Sequence, residues 1–61
     1  MTYTEEEKLE AIRRELKLRR RVYPRRIADK RMTQQLAERQ IAIFEQIEAD
    51  YVERASKERL I

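Results

Sequence analysis

The sequence has no cysteine, no histidine, no glycine and no tryptophan, and only one proline. Each absence excludes something. Without cysteine, no disulfide can staple a chain of 61 residues. Without cysteine or histidine, a structural zinc site lacks its usual sulfur and nitrogen ligands. The same two gaps remove the commonest general base and the thiol nucleophile. The hydroxyls of Thr2, Thr4, Thr33 and Ser56 sit at expected helix caps or near the chain ends. Without glycine there is no Gly-rich loop to cradle a phosphate, and any left-handed backbone position carries strain. No apolar run approaches the roughly 20 residues of a membrane span. The acidic stretch Met1–Glu7 lacks the apolar core of a signal peptide. The expectation is a cytoplasmic, non-enzymatic protein with no cofactor, no metal, no small-molecule substrate and no membrane partner.

What is present favours helix. Charged residues make up 44% of the chain, and Glu, Arg, Ala, Leu, Ile and Gln dominate, all compatible with helix and poor in strand signals. Two apolar stripes at helical spacing argue against disorder. A chain of this length buries only about 60% of its unfolded surface, and one core of that size supplies about 3–5 kcal/mol at most. With disulfides and zinc excluded, self-association is the compensation left.

Thr4 followed by Glu5, Glu6 and Glu7 reads as a helix start, with Thr4 and Glu7 forming a capping box. Tyr3 stands where a hydrophobic staple would begin. Leu9, Ile12, Leu16 and Tyr23 share one side at 100° per residue, a stripe as narrow as a coiled-coil seam. Pro24 disfavours helical geometry at Tyr23, so the first helix is expected over residues 4–22. A turn follows over 23–33, with Lys30 the candidate for a left-handed residue. Thr33 caps a second helix over 34–57, whose apolar positions include Ile41, Phe44, Ile47 and Tyr51. Gln40 lies within its apolar arc. The expected fold is all-α: a two-helix antiparallel hairpin over the whole chain. The second helix carries more apolar surface than the shorter first helix can cover, so the hairpin is expected to form a homodimer, closing a four-helix bundle or coiled coil. Leu9, Ile12, Leu16, Tyr23, Ile41, Phe44, Ile47 and Tyr51 are the expected core and dimer contacts.

The net charge of +3 conceals an asymmetry. From Arg13 to Arg31 there are ten basic and two acidic residues, whereas from Thr33 to Ile61 six acids face four bases. On the first helix Arg13, Arg14, Lys17, Arg20 and Arg21 fall within about 120° of arc, and Arg25 and Arg26 continue them around the joint. Glu10 stands within reach of Arg13 or Arg14, and Glu15 within reach of Arg19. Glu45 and Glu48 read as a solvated acidic pair. Two functions fit this pattern. The first is a helical interaction or scaffold protein whose charge keeps it soluble or complements an acidic protein. The second is a nonspecific nucleic-acid-binding accessory, with Arg13, Arg14, Lys17, Arg20, Arg21, Arg25 and Arg26 on phosphates and Tyr23 stacking on a base.

The run Arg20, Val22, Tyr23 and Pro24, with Arg13-Arg14-Glu15 before it and Met32-Thr33, Ala37, Ile41 and Tyr51 after it, resembles a group of small uncharacterised helical proteins of bacterial and prophage genomes. The resemblance covers residues 13–51. It implies the helical fold and gently favours nucleic-acid binding, but it assigns no activity. The chain departs from the group's pattern at Lys30, where Gly is frequent, and at Phe44, where Met is frequent.

Overall fold

The computed structural model describes residues 2–60. Two helices, α1 (Glu5–Ala28) and α2 (Gln34–Arg59), fold back on each other. Both starts follow from side-chain chemistry. The Thr4 hydroxyl accepts from the Glu7 N–H at 3.1 Å, and the Glu7 carboxylate accepts from the Thr4 N–H at 3.0 Å. These reciprocal bonds satisfy donors the first turn would otherwise leave open. Thr33 caps α2 alone, accepting from the Leu36 N–H at 3.1 Å.

α1 does not end at Val22. It continues through Pro24 to Ala28. Proline removes one N–H and crowds the carbonyl four residues earlier, a cost of about 3 kcal/mol in a helix interior. That carbonyl belongs to Arg20, an exposed residue, where water can satisfy it. Continuing the helix keeps Tyr23 buried at 4% exposure and brings Ile27, half-buried, onto the same side as Leu9 and Leu16. The contacts of a whole turn therefore override a local preference.

The helix closes in a Schellman arrangement. The Lys30 N–H donates to the Ile27 carbonyl at 3.0 Å, and the Arg31 N–H to the Arg26 carbonyl at 2.9 Å. Lys30 takes φ = 60°, the position glycine usually fills. The turn thus covers only residues 29–33, and the helices are nearly equal, with 24 and 26 residues. The expected length mismatch does not exist, so surplus apolar surface on α2 has another origin.

The core between the helices is thin. Leu9, Leu16, Tyr23, Ala37 and Ala55 are buried, and Leu16, at 1%, is the one large side chain fully enclosed among the described residues. Ile12, Ile41, Phe44, Ile47 and Tyr51 are half-buried. Ala37 and Ala55 mark where α2 approaches α1 without a bulky side chain between them. Tyr3 remains 56% exposed. The staple expected of it lacks an apolar partner, because the position it would meet is Lys8.

Candidate functional site

The two flanks of the hairpin differ in chemistry. Along one flank, ion pairs join the helices: Arg13 to Glu48 at 3.3 Å, Arg20 to Glu45 at 2.8 Å, and Arg59 to Glu6. The hydrogen bond from Arg59 to Glu6 pushes the Arg59 guanidinium above its ordinary value. Two expectations change here. Glu45 and Glu48 are the acceptors of this flank rather than a free acidic pair. Arg13 and Arg20, expected on an open basic face, are engaged by them, and Arg13 reaches Glu48 rather than Glu10. Each exposed pair contributes little alone, and all three lie on one flank. The same flank carries an open groove of about 460 Å³ near the turn, lined by Arg20, Pro24, Ile27, Gln34 and Ile41 among others.

On the other flank the connection is a stacked arginine. The Arg19 guanidinium lies 4.3 Å from the Phe44 ring centroid and 5.9 Å from that of Tyr23. It donates to the Tyr23 hydroxyl, which with Glu15, 2.8 Å from Arg19 Nε, raises the Arg19 pKa. Tyr23 is therefore buried and its hydroxyl engaged. It has no face to offer a nucleic-acid base.

α2 presents two seams. Ala37, Ile41, Phe44, Glu48, Tyr51 and Ala55 repeat at alternating four- and three-residue steps and face α1. One residue earlier in register, Leu36, Gln40, Ile43, Ile47, Asp50 and Arg54 repeat the same steps. This second seam turns toward the Arg19 flank. Leu36 is 46% and Ile43 44% exposed, while Gln40 and Ile47 are half-buried. Its first two turns are apolar around Gln40, and its last positions are charged. In the sequence the residues of the second seam merge with those of the first into one broad apolar arc. The alternating four-three spacing one register away from the first seam is the signal that separates them.

The outward side of α1 keeps an unneutralised basic row. Arg14, Lys17, Arg21 and Arg25 are exposed and form no ion pair among the described residues. Arg26 lies on the Arg19 flank, lining a small groove with Arg19 and Val22. The structure thus divides the seven basic candidates: two bridge the helices, one turns toward the stacked flank, and four form a straight row.

No helix among the described residues is long and apolar enough to cross a membrane, and no cluster of metal-ligating side chains occurs among them. No family model matches the chain, and neither the curated proteins nor the solved structures include a significant match.

Proposed function

We propose that the chain is a helical interaction protein that works as a homodimer, two hairpins joined along the second seam of α2. The observation that carries this reading is excess surface. A compact folded chain of 7.5 kDa exposes about 4,250 Å². The hairpin exposes 5385 Å², roughly 1,100 Å² more, and a stable interface removes about 800 Å² from each partner. The shape agrees with this. The radius of gyration is 14.2 Å, against about 10.5 Å for a compact chain of the same length. The excess includes exposed Leu36 and Ile43, in line with half-buried Ile47, on a helix already committed to a partner on its adjacent side.

Charge favours antiparallel docking. A parallel pair of α2 helices would set Asp50 against Asp50 and Arg54 against Arg54, and such like-charge contacts are unfavourable. The antiparallel pair sets Leu36 across from Ile47 and Gln40 across from Ile43, leaving Asp50 and Arg54 outside the apolar overlap. It also brings the two Gln40 amides to about one helical turn from each other, where a polar pair in an apolar seam fixes register. Sedimentation equilibrium of the chain and of its Ile43→Glu variant tests this reading. The resemblance to small helical bacterial and prophage proteins, proposed on the Arg20–Pro24 run, is compatible with such a role and adds no partner of its own.

A further inference from the structure

We infer that the outward row of α1, Arg14, Lys17, Arg21 and Arg25, is a binding site for the phosphate backbone of duplex nucleic acid, read without regard to base sequence. Pairing within the hairpin supplies the first argument. Arg13, Arg19 and Arg20 all have carboxylate partners, whereas the four residues of the row have none among the described residues. Between Arg13 and Arg25 the cations of α1 thus divide by side: those turned toward α2 are paired, and those facing away from it are not.

Geometry supplies the second. The row advances by three, four and four residues along one helix, so its charges stand about 4.5–6 Å apart over roughly 16 Å. Glu7 and Glu10 lie at its beginning, and Glu7 is held in the Thr4 cap. From Arg14 to Arg25 the sequence holds one acid, Glu15, and that acid is engaged by Arg19. A straight, acid-free line of cations matches a polymer of regularly spaced anions.

The surroundings of the row select among polyanions. An acidic protein would need apolar anchors at the centre of its contact, and the row offers only Leu18 at its edge, 42% exposed. A membrane surface would need a broad apolar face beside the charges, but the side of α1 opposite the row is closed against α2. Single strands are held largely by stacking on successive exposed aromatic rings, whereas Tyr23 is buried at 4% exposure and the row has one exposed ring beside it, Tyr3 at its Arg14 end, 56% exposed. No Asn or Gln lies on α1, which leaves little to read adenine. Contact with the duplex backbone alone fits all of these.

The site does not depend on the α2 seam, because the row and the seam lie on different helices and different sides. The test is titration of the full-length chain with a labelled duplex of mixed sequence at several salt concentrations. Four phosphate contacts give a slope of log K against log salt of about −3.6, so affinity falls on the order of 100-fold between 50 and 200 mM salt. Replacing the four residues with Gln should abolish duplex binding at low salt while far-UV circular dichroism is unchanged. Replacing Lys57 and Arg54 on α2 with Gln should leave the slope as it was. Should the fourfold variant lose helicity, the single variants Arg14→Gln and Arg21→Gln decide, each lowering the magnitude of the slope by about 0.9. Undetectable binding of the duplex at low salt, an unchanged slope in the fourfold or single variants, tighter binding of a single strand than of the duplex, or equal binding of polyglutamate would each overturn the assignment.

Discussion

The guanidinium of Arg19 lies 4.3 Å from the centroid of the Phe44 ring while its Nε stands 2.8 Å from a Glu15 oxygen. One side chain thus ties α1 to α2 and to itself, on the flank that has no cross-helix ion pair among the described residues. The planar guanidinium is what stacks, and an ammonium of equal charge does not reproduce it. Arg19→Lys is expected to lower the thermal midpoint, while Arg14→Lys, on the outward side, leaves it unchanged. Equal midpoints for the two variants would show that the stack contributes nothing.

Pro24 sits inside α1 at an exposed position. Its replacement by alanine returns a donor to the Arg20 carbonyl and removes the ring clash, worth about 3 kcal/mol, less up to about 1 kcal/mol for the freer unfolded chain. Pro24→Ala is expected to raise the stability of the hairpin by roughly 2 kcal/mol in urea unfolding. A loss of stability would show that proline sets a helix geometry the core requires.

Lys30 holds φ = 60° at the end of α1. For a residue with a Cβ this conformation costs about 1 kcal/mol or more, and glycine adopts it freely. Lys30→Gly is expected to stabilise the fold by about 0.5–1 kcal/mol, after the entropy that glycine adds to the unfolded chain is subtracted. The result is read from the shift in denaturant midpoint at constant slope.

The Thr4 N–H donates to the Glu7 carboxylate, and this bond, more than the accompanying Thr4 hydroxyl, lowers the Glu7 pKa below its ordinary value of 4.5. A depressed folded-state pKa means the contribution is fully present above about pH 4.5 and is lost as pH falls through the lower value. On acidification from about pH 6 to about pH 3, the wild-type chain is therefore expected to lose more stability than Glu7→Gln. The other carboxylates act in both proteins and cancel in the difference. Parallel pH profiles would remove Glu7 from the cap.

The helix starts were legible because Thr4, Glu7 and Thr33 act through bonds to residues three away. Lys30 was legible as the left-handed position because the turn lacks glycine. The end of α1 was not, since Pro24 argues locally for a break while Tyr23 and Ile27 argue for continuation only through contacts with α2. The division of the arginines was not legible either. Arg13 and Arg20 resemble Arg14 and Arg21 in sequence, and only the register of the hairpin brings Glu48 and Glu45 to the first pair. The second seam of α2 was hidden because two interleaved heptads look like one wide apolar face until α1 occupies the first.

The central claim is that the Leu36–Ile47 seam is covered by a second copy, and sedimentation equilibrium at micromolar concentration tests it most directly. The expected result is a species of twice the 7.5 kDa chain mass whose helicity falls on dilution, with Ile43→Glu shifting it to a monomer of lower helicity. A wild-type chain that sediments as a fully helical monomer at that concentration would contradict it.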